Sequence, residues 1–100
     1  MRKQDRLNEV GLQGLAAAFL TMKTPQEMQS FLVDLCSVRE LNSLAQRLWV
    51  ASLMEDGKTY AEIVEKTGAS TAIVSRISRM LASTEEGGME KAVKRLKNQE

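Results

Sequence analysis

The chain has 100 residues, a formal net charge of +1, and a composition that is 43% hydrophobic and 27% charged, the profile of one globular domain with a modest core. It has no histidine, a single cysteine at Cys36 and no clustered carboxylate spacing that looks like a metal set. The usual general-base, nucleophile and zinc constellations are therefore largely absent, and neither an enzyme nor a cofactor is expected.

No apolar run approaches the roughly eighteen residues of a membrane span, and the start MRKQDRLNEV lacks the apolar core of a signal peptide. A soluble, cytoplasmic protein with no membrane partner is expected. Cys36 cannot form an internal disulfide, and its apolar neighbours Leu35 and Val38 read as the surroundings of a buried thiol. The near-neutral total says little about nucleic acid, but the charges are segregated. Bases gather at Arg2, Lys3 and Arg6, at Arg76 and Arg79, and at Lys91, Lys94, Arg95 and Lys97, while acids concentrate at Glu55, Asp56, Glu62, Glu65, Glu85, Glu86 and Glu90.

From Arg2 to Met22, the apolar positions Leu7, Val10, Leu15, Ala18, Phe19 and Met22 follow an imperfect helical period. Gly11 and Gly14 each cost about 1 kcal/mol against alanine inside a helix, so this element is expected to fray or bend near its start, or to let a second backbone approach. Thr24, Pro25 and Glu27 then make a helix start, with a cap, a pre-set first residue and a capping-box acid. Met28, Phe31, Leu32 and Leu35 give that helix one apolar stripe, read as core.

Ser37 with Glu40 begins the next helix, which runs to about Met54 before Asp56 and Gly57 end it. Its second half is apolar on most sides, and such a helix is normally buried on most sides. A chain this short can hardly surround it alone, so a dimer interface is inferred. Arg47 interrupts the apolar run and reads as a charge reaching solvent along its stem.

The stretch KTYAEIVEKTGASTAIVSRISRML, Lys58 to Leu81, predicts two short helices around a corner. Thr59 and Glu62 form a capping box, Ala61, Ile63 and Val64 are packing positions, and Gly68 suits a sharp turn with positive φ. Ser70 caps the second helix, whose Val74, Ile77 and Leu81 share an inward face. The opposite face carries Thr71, Ala72, Ser75, Arg76 and Arg79, small, hydroxylated or cationic and free of acid. Such a set suits phosphates and base edges. This is a helix-turn-helix whose second helix is a candidate reader of the DNA major groove. After a break over Ala82 to Gly88, Met89, Ala92, Val93 and Leu96 form a last amphipathic stripe. The chain thus divides into N-terminal helices over 1–36, a central helix over 37–56, the helix-turn-helix over 58–82 and a C-terminal helix over 88–97, all in one domain.

The order of elements resembles the Trp repressor superfamily, and within it the YerC/YecD-type branch. The most specific blocks are Ser37, Arg39, Glu40, Leu44 and Arg47 on the central helix and Gly68, Ala69, Ala72, Ser75 and Arg76 at the reading helix. The resemblance implies an all-α fold of about six helices, forming an intertwined homodimer whose N-terminal helices exchange across the two-fold axis. Two reading helices would then meet successive major grooves about 34 Å apart on a near-palindrome. Ser70, Thr71, Ala72, Ser75, Arg76 and Arg79 are the expected DNA-binding residues. Because several are short, some base contacts can be bridged by water, as in the Trp repressor–operator complex.

The resemblance also places a vestigial ligand pocket at Ser37, Arg47, Arg76, Ile77 and Met80. In tryptophan-binding members, arginines matching Arg47 and Arg76 flank the indole, and a threonine matching Ser37 lies near it. Ile77, however, stands in place of a glycine, and Met80 in place of a serine that helps hold the ligand's amino group. Ile77 carries a side chain into the indole's space, so the expectation is a sequence-specific regulator, repressing without tryptophan, with any other small-molecule effector unknown. The alternative from a different class is a helical protein-interaction module using the same helix pair.

Overall fold

A computed structural model describes residues 8–83 and 87–99. Among them the secondary structure is six helices: α1 (Glu9–Thr21), α2 (Pro25–Leu35), α3 (Val38–Glu55), α4 (Tyr60–Thr67), α5 (Thr71–Ala82) and α6 (Gly88–Asn98). The chain divides into two compact units, Met1–Val38 and Arg39–Glu100.

In the first unit, α1 is capped by Asn8, whose Oδ1 accepts the Gly11 N–H at 3.1 Å. The basic cluster Arg2, Lys3 and Arg6, and Leu7 of the expected stripe, lie outside the described residues. Thr24 caps α2 by accepting the Glu27 N–H at 3.1 Å, with Pro25 opening the helix. The expected capping-box acid takes a different partner: the Lys23 N–H donates to Glu27 Oε1 at 2.8 Å, so the carboxylate ties down the residue before the cap. Phe19 of α1 meets Phe31 of α2 edge to face, ring centroids 5.6 Å apart at 82°, an arrangement favoured by the ring quadrupole. Met28, Phe31 and Leu32 are half-buried, while Leu35 is exposed. Cys36, expected to be buried, is only half-buried, because it sits at the end of α2 as its cap, where its backbone N–H donates to the Leu32 carbonyl.

The second unit holds the apolar core. Val50 and Ala51 of α3, Ile63 of α4, Ala69 at the corner, Val74 and Ile77 of α5 and Val93 of α6 are all at most 3% exposed. Leu53, Met54, Val64, Ile73 and Leu81 pack around them. α3 ends in a Schellman motif: Gly57, at φ 81°, donates to the Met54 carbonyl and Lys58 donates to that of Leu53. That abrupt stop lets α4 fold back onto the core. α3 itself departs from the expected all-round burial. Leu44 and Trp49 are 47% and 49% exposed, since the other helices of the unit cover only one side of it.

On α6, Met89 and Val93 turn inward whereas Ala92 and Leu96 are exposed, so only half of the expected stripe is used within the chain. Lys97 reaches Asp56 at the end of α3, Nζ to Oδ1 at 3.2 Å, with both side chains about half exposed. Such a pair contributes at most about 1 kcal/mol. Gly88 belongs to the first turn of α6 instead of the preceding break, whose residues 84–86 lie outside the described set.

Candidate nucleic-acid interface

The α4–α5 pair is shaped by its caps. Thr59 accepts the Glu62 N–H at 3.2 Å while the Thr59 N–H donates to Glu62 Oε1 at 3.1 Å, the full reciprocal box. The donation from the Thr59 backbone holds the Glu62 carboxyl below the usual carboxylate range, helped by the Thr59 side chain, opposed by desolvation, and helped less by Lys58 and Lys66. At the other end Gly68, at φ 71°, gives its N–H to the Val64 carbonyl at 3.0 Å, the single-bond closure that left-handed glycine allows. The chain then turns through the buried Ala69. Ser70 starts α5, its Oγ accepting the Ile73 N–H at 3.1 Å.

These caps fix which side of α5 looks out. Val74 and Ile77 are buried and Leu81 is half-buried, while Ser70, Thr71, Ala72, Arg76 and Arg79 are exposed and Ser75 is half-buried. The six residues read from sequence as DNA-binding thus share the outer side of one short helix and its cap. No acid occurs anywhere in α5. An outer surface of hydroxyls, a methyl group and two guanidiniums presents donors without carboxylates, and so can approach a polyanion closely.

The second set of sequence-predicted residues is distributed differently. Ser37 belongs to the first unit and is exposed just before α3. Arg47 is exposed, and its Nη2 donates to Ser43 Oγ one turn back on α3 at 3.1 Å. Arg76 is exposed on α5, Met80 is 43% exposed and Ile77 is 1% exposed in the core. Two small cavities lined by described residues lie in the second unit away from this set. One of about 40 Å³ is lined by Ser52, Glu55, Asp56, Val93, Leu96 and Lys97, and a groove of about 180 Å³ runs beside Glu90, Lys91, Lys94 and Arg95 of α6. Both are below the roughly 300 Å³ at which small-molecule sites begin, and neither touches α5.

One contact was not anticipated. Gln46 of α3 donates from Nε2 to the Thr67 carbonyl at 3.1 Å, a half-buried hydrogen bond across 21 residues of chain. Its sequence signal is its register: Gln46, Val50 and Leu53 fall at intervals of four and three, so a polar residue sits on the face of α3 that meets the core.

Capped short helices, a left-handed glycine corner and an unobstructed second helix define a helix-turn-helix domain in an all-α chain. Residues 10–97 match the family model described as Trp repressor protein. The chain belongs to the Trp repressor family, a family of DNA-binding regulators. It is 44% identical over 77 residues to the uncharacterised protein YerC of Bacillus subtilis (strain 168), spanning 77% of this chain and 74% of that one. A TrpR-like protein from Eubacterium eligens ATCC 27750 superposes with a TM-score of 0.82 at 37% identity, covering 92% of this chain and 94% of the other. A candidate Trp repressor from Staphylococcus aureus does so with a TM-score of 0.85 at 36% identity, covering 97% and 96%. The six-helix, TrpR-like fold expected from the sequence is thereby established.

Proposed function

We propose that this protein is a sequence-specific transcriptional regulator that binds near-palindromic operators as a homodimer, acts as a repressor, and needs no tryptophan. The observation that carries the reading is the exposed, acid-free outer side of α5, from Ser70 through Arg79, on a helix whose inner side is locked into the core. Thr71, Ala72 and Ser75 lie against base edges, directly or through water. Arg76 and Arg79 hold phosphates or a guanine edge.

Support for dimerisation lies in the apolar side chains that one chain leaves in solvent. Leu44 and Trp49 on α3 are about half exposed, and Val10 and Leu20 on α1 are 79% and 87% exposed. A second copy would remove that surface from water at about 25 cal/mol per Å². Support for ligand independence is Ile77, which already fills a core position on the inner face of α5. Its side chain performs the ordering that a bound corepressor would otherwise supply.

The test is selection of bound duplexes from a random pool, then titration of the selected duplex against salt with and without L-tryptophan, alongside sedimentation of the free protein. A near-palindrome bound equally well in both conditions by a dimer is expected, with affinity falling steeply as salt rises. Enrichment only with tryptophan would overturn the ligand-independent part. No enrichment would shift the reading to a protein-interaction module.

A further inference from the structure

We propose that Gln46 is a positioning residue for the reading helix: its side-chain amide holds the Thr67 carbonyl and so sets the direction in which α5 leaves the corner. This rests on α5 being the DNA-reading element.

The last carbonyls of a helix have no partner within it, and α4 disposes of its own in a particular way. The Val64 carbonyl takes the Gly68 N–H. The Thr67 hydroxyl donates to the Ile63 carbonyl at 2.7 Å and accepts the Ala69 N–H at 3.1 Å. These bonds lie inside the helix-turn-helix and would move with it as a body. The bond from Gln46 to the Thr67 carbonyl does not, because it originates on α3. A Cβ built on Gly68 would meet nothing within 4 Å, so steric enclosure does not fix the corner there. Ala69, 2% exposed, anchors it by burial. Apolar burial resists separation but is weakly directional, whereas a hydrogen bond is sensitive to angle. The division of labour follows: Ala69 keeps the corner on the core, and Gln46 keeps it in one orientation.

Orientation matters more for reading sequence than for binding charge. Base-edge contacts require side chains placed to a fraction of an ångström, while the phosphate attraction depends on charge and salt. Loss of the Gln46 tether should therefore reduce discrimination and spare sequence-independent binding. The chemistry at this position needs a donor. Methionine keeps the length of the side chain without one, and lysine restores one.

The experiment compares wild type, Gln46→Met and Gln46→Lys, measuring affinity for the selected duplex and for a scrambled one at fixed salt. Amide exchange of Gly68 and Ala69 is followed without DNA. Gln46→Met is expected to lose about tenfold in the ratio of selected to scrambled affinity, with scrambled binding within about twofold of wild type. Gln46→Lys is expected to recover most of the ratio. Exchange at Gly68 and Ala69 should speed in Gln46→Met while core amides of α3 remain protected. An unchanged ratio, or equal losses on both duplexes with general loss of protection, would overturn the proposal. If wild type itself does not distinguish the duplexes, the DNA-reading function fails instead, and the exchange data decide separately: faster corner exchange in Gln46→Met sustains the tether, and unchanged exchange rejects it.

Discussion

Replacing Ile77 tests whether the reading helix is held by its own side chains. Ile77 is 1% exposed in a core to which α3, α4, α5 and α6 contribute, so its truncation removes packing from the core that holds the reader. Ile77→Ala deletes three carbons, worth about 0.8 kcal/mol each by transfer. The cavity left behind brings typical losses to about 2–5 kcal/mol. Ile77→Gly adds about 1 kcal/mol for glycine in a helix interior. Against a total stability of about 5–15 kcal/mol, the alanine variant should stay folded with α5 loosened. Urea unfolding gives the global loss, and amide exchange resolved by residue locates it. DNA titration then reports whether the loosened helix still reads. The expected result is faster exchange along α5 together with weaker operator binding in Ile77→Ala, both more marked in Ile77→Gly. Unchanged exchange in α5 with unchanged DNA affinity would refute the idea that Ile77 stands in for a corepressor.

Gly68→Ala places a methyl group in open space but at φ 71°, so the cost is backbone alone, about 1–2 kcal/mol, read as a lower urea midpoint without a change in slope. Arg76→Ala and Arg79→Ala should each weaken operator binding, and an arginine that neutralises a phosphate in each subunit should lower the log–log salt slope by about 0.9 per subunit, roughly 1.8 for the dimer. Retention of full affinity in both variants would remove the guanidiniums from the interface. Because the Glu62 carboxyl titrates lower in the folded chain than in the unfolded one, its stabilising contribution is complete above the ordinary carboxylate pKa of about 4.3. It is lost as pH falls through the lower, folded value. Melting curves between neutral and strongly acid pH should accordingly show a smaller acid-side decline for Glu62→Gln than for wild type.

Much of the local structure could be read directly. Thr24, Thr59 and Ser70 each begin a helix because a side-chain oxygen can satisfy an N-terminal amide using only neighbours in sequence. Gly57 and Gly68 end helices at positive φ for a reason equally local. The inward and outward sides of α5 followed from its period, as did the six exposed or half-exposed residues of the candidate interface. The local signal is weaker where the apolar pattern runs on ahead of the cap. Asn8 starts α1 with Gly11 at the third position, and it went unrecognised inside a longer apolar pattern.

What periodicity could not supply was the partner of each face. The pattern on α3 is apolar nearly all round, yet only Val50 and Ala51 are fully covered within the chain, because coverage depends on which helices return to pack against it. The same holds for Leu96, apolar by pattern and exposed in the fold, and for Glu27, whose carboxylate selected Lys23 over the expected cap. Gln46 is the clearest case. Its hydrogen bond to Thr67 spans 21 residues, and no local rule pairs a glutamine with a particular distant carbonyl. Sequence by itself determined where α2, α4 and α5 start, where α3 and α4 stop and which side of the reading helix is polar, since those depend on neighbours within one turn. Tertiary structure alone decided what each apolar face meets and how the corner is tethered, since those depend on groups brought together only when the chain folds.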